Sequence, residues 1–108
     1  MRIIAGEKKG RQLLEPTWKG LRPTSDRLRE TLFNVLRNDV VDSRFLDGCA
    51  GTGAIGLEAM SRGASSVTFV ESDERAVTLI KKNVHRCDSE EDATILFGSL
   101  PDVLGQPG

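Results

Sequence analysis

The sequence predicts an α/β fold built on a parallel sheet, and three observations carry that prediction. Strand-like and helix-like runs alternate from Phe45 onward, a glycine-rich turn joins the first strand to the first helix, and the links between strands are long enough for right-handed crossovers. The 108 residues are 38% apolar and 29% charged, with 15 basic against 16 acidic side chains, which suits one small globular domain. Collagen, coiled coil and disordered tail are excluded. No run approaches the roughly 18 apolar residues of a membrane helix, and Met1-Arg2-Ile3-Ile4-Ala5-Gly6-Glu7 reaches charge too early for a signal peptide. A cytoplasmic protein without a membrane partner is expected. Cys49 and Cys87 lie 38 positions apart with no Cys-x-x-Cys pair, so both are read as reduced thiols, with no disulfide framework and no metal site.

The elements follow in order. Arg2-Ile3-Ile4-Ala5 and Arg11-Gln12-Leu13-Leu14 flank Gly6-Glu7-Lys8-Lys9-Gly10, a pattern that predicts a β-hairpin with a basic tip. Glu15 to Pro23 holds two prolines and a glycine, which forbids a regular element and makes this stretch an arm carrying the sole tryptophan. Packing of Trp18 against the domain is favoured over base stacking, since no other aromatic lies nearby. Thr24, Ser25 and Asp26 are candidate N-caps, and Leu28, Leu32, Val35 and Leu36, widened by Phe33, predict a helix from near Ser25 to Arg37 with those residues inward. Arg27 and Glu30 face the other way.

Phe45-Leu46-Asp47 ends a first strand. Gly48 to Gly53 is the loop, and Ala54 to Arg62 is a helix with Ile55, Ala59 and Met60 marking its buried side and Gly63 ending it. Ser66 to Glu71 is a second strand, rich in β-branched and aromatic residues. Asp73 to Asn83 is a second helix with Ala76, Val77, Leu79 and Ile80 inward. The polar stretch Cys87 to Asp92 is a loop, and Ala93 to Phe97 is a third strand.

Charge divides the chain just before Phe45. Residues 1–44 carry net +4 and residues 45–108 carry net −5. A basic first part can dock on phosphate, because neutralised phosphates release counterions. Charge alone favours the plainer reading, in which Lys8, Lys9 and Arg11 form a solvated loop.

The chemistry-bearing signal is Asp47-Gly48-Cys49-Ala50-Gly51-Thr52-Gly53-Ala54-Ile55-Gly56, followed by Glu71 at the end of the next strand. A triphosphate cradle would need Gly-Lys-Ser/Thr after its glycines, and no lysine is present. Gly51-Thr52-Gly53-Ala54-Ile55-Gly56 does spell the dinucleotide pattern, with Glu71 twenty positions after Gly51. Here, however, Gly48-Cys49-Ala50 separates the strand-tip Asp47 from Gly51. Carboxylates at two strand tips suit a ligand that lacks a pyrophosphate and carries positive charge, and S-adenosylmethionine is such a ligand. Asp47 would lie near its cationic end, the Gly51 to Gly53 backbone would pass along its methionine portion, and Glu71 would accept from its ribose hydroxyls. The plainer alternative is that Asp47 and Glu71 only cap the turns after their strands.

Arg22-Pro23-Thr24-Ser25-Asp26-Arg27-Leu28-Arg29-Glu30-Thr31-Leu32-Phe33-Asn34, then Phe45-Leu46-Asp47, Ala50 to Ala59 and Ser61-Arg62-Gly63-Ala64, resemble the RsmD-type 16S rRNA guanine-N2 methyltransferases. The opening Arg2 to Gly6 and Gly10-Arg11 are similar as well. The resemblance implies a class I methyltransferase (Rossmann-like) sheet whose first half is residues 45–108, preceded by a basic hairpin, arm and helix in residues 1–44. It implies S-adenosylmethionine as methyl donor, held by Asp47, Gly48, Cys49, Ala50, Gly51, Thr52, Gly53, Glu71, Ser72 and Ser99. It further implies the N2 of a guanine in 16S rRNA of the small ribosomal subunit as acceptor, approached by Lys8, Lys9, Arg11, Arg22 and Arg27.

The chain departs from that family at three places. Gly48 and Cys49 stand where bulky apolar residues are usual, and Gly98-Ser99 stands where an Asp often meets the adenine amino group. The family's catalytic Asn/Asp-Pro-Pro-Tyr segment, which follows a fourth strand, is not among the 108 residues, so no catalytic residue is assigned. A fourth strand would pair beside the first. Its absence predicts a bare sheet edge at Asp47's strand, so that the chain is either a fragment or completes its sheet by association with another chain, self-association through that edge included, and a non-catalytic RNA- or ribosome-binding module is the alternative function. A dinucleotide-dependent enzyme is the weaker one. His85, with no partner at fixed spacing, is read as a surface or helix-capping residue, and Cys49 as a small residue tolerated by the loop. Arg22, Arg27 and Arg29 are expected to pair with Asp26 and Glu30, or to give one of their number to a phosphate or the cofactor carboxylate.

Overall fold

A computed structural model of the chain describes residues 1–20, 25–48 and 50–99. Its order is α1 (Asp26–Leu36), β1 (Arg44–Asp47), α2 (Ala54–Ser61), β2 (Ser66–Glu71), α3 (Glu74–Arg86) and β3 (Ala93–Phe97), with short 3-10 turns at Arg37–Asp39 and Glu90–Asp92. The three strands form one parallel sheet in the order β1-β2-β3, with Phe45 opposite Val67 and Val67 opposite Ala93. The expected α/β class and all three strands are therefore present, two of them with the expected ends.

Helix α2 crosses from β1 to β2 and packs so tightly that a Cβ on Gly56 would lie 2.3 Å from Phe69 Cε1 and 2.8 Å from Val67 Cγ1. Ile80 of α3 reaches the same side, its side chain within van der Waals contact of where a Cβ on Gly53 would stand. Both crossover helices thus share one face of the sheet, and the core of Val67, Phe69, Leu57, Ala59, Ile80 and Val84 lies between.

Three expectations about faces and ends change. Helix α1 buries Arg29 and Phe33, while Leu28 and Val35 are 59% and 75% exposed. The helix is turned about its axis toward Phe33, which stacks on Phe45 with ring centroids 6.0 Å apart. The physical reason is Arg29, whose charge is drawn inward by a buried carboxylate on α2. In α2, Ile55 and Met60 are only partly buried, and Gly56, Leu57, Glu58 and Ser61 join Ala59 inside. A helix enclosed by sheet, α1 and the N-terminal segment has no single wet face to give a stripe. Helix α3 continues to Arg86, past Asn83, and buries the expected Ala76, Val77, Leu79 and Ile80.

The N-terminal hairpin exists as one antiparallel bridge, Arg2 to Gln12, flanked by hydrogen bonds from Ile3 N–H to Arg11 O (3.0 Å) and Leu13 N–H to Met1 O (2.8 Å). It does not lengthen into strands because Ile4 and Ala5 donate their N–H groups to Glu58 instead. Ile3 and Leu13 anchor it in the core.

Candidate functional site

The glycine turn begins where β1 ends. Ala50 N–H donates to Val70 O (3.1 Å), which ties the turn to the top of β2, and Gly53 N–H donates back to Ala50 O (2.8 Å). Gly51 and Gly53 take φ of 55° and 84°, values that disfavour residues with a side chain, so the backbone can reverse here and enter α2 directly. Ala54 N–H donates to Thr52 Oγ1 at 3.3 Å.

Both strand-tip carboxylates are part of this turn. Asp47 is buried, and its Oδ2 accepts from Gly56 N–H in the first turn of α2 (3.1 Å). Glu71 accepts from Gly51 N–H through Oε1 and from Asp73 N–H through Oε2, both at 2.8 Å. The capping role weighed for these residues is thus real. For Glu71 it is not exhaustive, because a carboxylate offers about four lone-pair sites and these contacts take one on each of its oxygens. The turn spends the N–H groups of Ala50, Gly51, Gly53 and Ala54 on protein acceptors, so they are not available to cradle a pyrophosphate.

Other predicted residues are placed less tightly. Ser72 and Ser99 are exposed beside the ends of β2 and β3, and Gly98 N–H donates to Glu71 O (2.9 Å), bringing those ends together. Cys49 and Arg22 lie outside the described residues. Asp73 caps α3 by accepting from Arg75 N–H (2.9 Å), and the Arg75 guanidinium beside it holds its carboxyl below the usual carboxylate value.

Lys8, Lys9 and Arg11 share the hairpin but line different surroundings. Lys9 lines a hollow with Arg2, Asp26 and Glu30. Lys8 lines another hollow with Asp42, Asp88 and Asp92. Arg11 is committed to α3, donating to Arg86 O and pairing with Asp88 at 3.4 Å. Arg27 is exposed on α1. Of the expected arginine pairings, Arg29 does engage Asp26, and His85 is an exposed residue 3.4 Å from Glu90. Trp18 is half-buried under Arg75, whose guanidinium carbon is 5.0 Å from the ring centroid. Leu14, Trp18, Arg75, Leu79 and Lys82 line an open groove of about 600 Å³ between arm and α3.

Two buried polar residues organise the surroundings and escaped the sequence reading. Glu58, fully buried, accepts from Ile4 N–H (2.9 Å), Ala5 N–H (3.0 Å), Arg62 Nε (2.9 Å) and Arg29 Nη1 (3.4 Å). Asn83, also fully buried, bonds both Leu14 and Thr52. A signal for Asn83 was present: it sits at helical spacing with Ile80 and Val84 on the apolar face of α3. Among the described residues no helix is long and apolar enough to cross a membrane, and no three His, Cys, Asp or Glu side chains gather as a metal site.

Sheet order, crossover helices on one face and a glycine turn at the first strand tip define the N-terminal half of a class I methyltransferase fold. The C-terminal domain of precorrin-6Y C5,15-methyltransferase from Rhodobacter capsulatus shares it, at TM-score 0.70 and 17% identity over 81% of this chain and 46% of that one. A hypothetical protein of Thermus thermophilus is nearer, at TM-score 0.82 and 39% identity over 96% of this chain and 58% of that one. The chain belongs to the family described as Conserved hypothetical protein 95, whose model matches residues 1–106. It is 48% identical to Ribosomal RNA small subunit methyltransferase D of Haemophilus influenzae, over 99% of this chain and 56% of that protein. It is 50% identical to the Escherichia coli K12 protein of the same name, over 100% and 54%. The chain therefore spans about half the length of the curated relatives it matches, and the resemblance read from its motifs is borne out.

Proposed function

We propose that this protein supplies the S-adenosylmethionine-binding half of an enzyme that methylates the N2 of a guanine in 16S rRNA of the small ribosomal subunit. The observation that carries the reading is the glycine turn's hydrogen bonding. The N–H groups of Ala50, Gly51, Gly53 and Ala54 are satisfied internally and two carboxylates stand at the strand tips, which suits a cation-bearing nucleoside better than a dianionic pyrophosphate.

In this reading the remaining lone pairs of Glu71 accept from ribose hydroxyls, Ser72 and Ser99 border the adenine, and residues 48–53 carry the methionine portion past Asp47. The cofactor supplies a methyl group activated on a positive sulfonium. Lys8, Lys9, Arg22 and Arg27 meet ribosomal RNA, which is why a charge of +4 collects in residues 1–44. Arg11 assists by holding the hairpin against α3. The relatives named for small-subunit ribosomal RNA support the acceptor, and a place in the cytoplasm, where ribosomes are, follows from it.

Calorimetry with S-adenosylhomocysteine and with NAD tests this directly. Heat is expected with the first and none with the second, and Asp47→Asn and Glu71→Gln should each weaken binding about 10-fold, a loss of about 1.4 kcal/mol. Binding of NAD, or unchanged affinity in both variants, overturns the cofactor assignment. Transfer of labelled methyl to 30S particles by this chain joined to the complementary half of a relative tests the acceptor.

A further inference from the structure

Asn83 is a buried residue whose one side chain bonds the segment before the arm and the glycine turn, two stretches far apart in sequence. Its Oδ1 accepts from Leu14 N–H at 2.7 Å, and its Nδ2 donates to Leu14 O at 3.1 Å and to Thr52 O at 2.8 Å. The Leu14 N–H fixes which way the amide faces, and then both Nδ2 hydrogens are used. Leu14 ends the hairpin and leads directly into the arm that carries Trp18, and it forms a wall of the groove beside Arg75 and Lys82. Thr52 is the middle residue of the glycine turn, between two glycines at positive φ.

We infer that Asn83 is a positioning residue that locks the arm and the glycine turn into one fixed relation, so that a ligand ordering either segment orders the other. Its amide is fully buried, and any movement of one segment alone would leave a buried donor or acceptor without a partner. The link itself is independent of what the turn binds. Its consequence rests on the function proposed above: cofactor in the turn steadies the arm, and by reciprocity RNA on the arm raises affinity for cofactor. Leucine would fill the space without holding either segment, and aspartate would keep the Leu14 N–H bond while facing two carbonyls with a second acceptor.

The chain's single tryptophan lies on the arm and reports its state. Without ligand, amide hydrogen exchange is followed at Gly53 and Ala54 in the whole chain, in Leu14→Pro, which deletes the arm's N–H donor, and in Asn83→Asp. Exchange in the turn is expected to quicken about 10-fold in both variants while the β2 amides of Phe69 and Val70 keep wild-type rates. If Leu14→Pro loosens β2 as well, the isosteric Asn83→Asp decides. Unchanged exchange in the turn overturns the link.

S-adenosylhomocysteine is then titrated with heat and Trp18 emission recorded together. An emission change is expected in wild type and its loss in Asn83→Asp. Heat without a Trp18 response overturns the coupling and leaves the cofactor assignment standing. No heat, with quickened turn exchange in the variants, overturns the cofactor assignment and leaves the link standing.

Discussion

Glu58 shows how one residue joins parts of the chain that have no sequence relation. Four donors from three segments meet one carboxylate, two of them main-chain N–H groups of the hairpin and two of them guanidiniums. Removing it leaves Arg29 charged and fully buried, with Nε already lacking a partner among the described residues. Glu58→Ala is therefore expected to cost about 3–5 kcal/mol in urea unfolding, and a loss below about 1 kcal/mol would contradict the hub. Cys87 gives a residue-scale test by pH. Burial pushes its thiol above the ordinary value of 9.0, so the folded state favours the protonated form. The resulting stability is complete below that ordinary value, which the unfolded thiol keeps, and drains away as pH rises through the folded one. Melting temperature should fall across that alkaline range in wild type and fall less in Cys87→Ala. In native protein at pH 8 the thiol should resist alkylation that it undergoes in urea.

At the scale of elements, α1 is the informative case. Its apolar positions form a stripe, yet the packed face is turned so that Arg29 and Phe33 enter and Leu28 and Val35 leave. Periodicity locates a helix, but the partner surface sets its rotation, and here a buried carboxylate outweighs two aliphatic side chains. Phe33→Ala is expected to cost about 3–5 kcal/mol and Val35→Ala under about 0.5 kcal/mol. Equal losses in denaturant titrations would restore the original stripe. Helix α2 makes a complementary point through Gly56. The motif read as a ligand signature owes its last glycine to helix-on-sheet packing, since a methyl there would overlap Phe69 and Val67. Gly56→Ala should cost about 1–3 kcal/mol in the same assay with the β2 core as the site of strain.

At the scale of the molecule, the sheet of the described residues has β1 and β3 at its two edges. Among the described residues β1 pairs only with β2, and its Leu46 is 48% exposed. An edge strand with bare main-chain groups and an apolar side chain attracts other edges. Sedimentation velocity should show association that rises with concentration and is suppressed by Leu46→Lys; a monomer at all concentrations in both proteins would remove the expectation.

Strands, crossovers and the glycine turn were legible because each is a local matter. β-branched runs of five or six residues, a helix-length link and glycines at a reversal need no knowledge of distant residues to be read. The carboxylates at Asp47 and Glu71 were legible for the same reason, since strand ends are local positions. The rotation of α1, the shortening of the hairpin, and the roles of Glu58 and Asn83 were not. Each depends on hydrogen bonds between residues more than twenty-five positions apart. Pattern along a chain records which face of an element dislikes water, whereas the pairing of buried charges and amides is settled when the elements meet, where an unmatched polar group is costly enough to turn a helix.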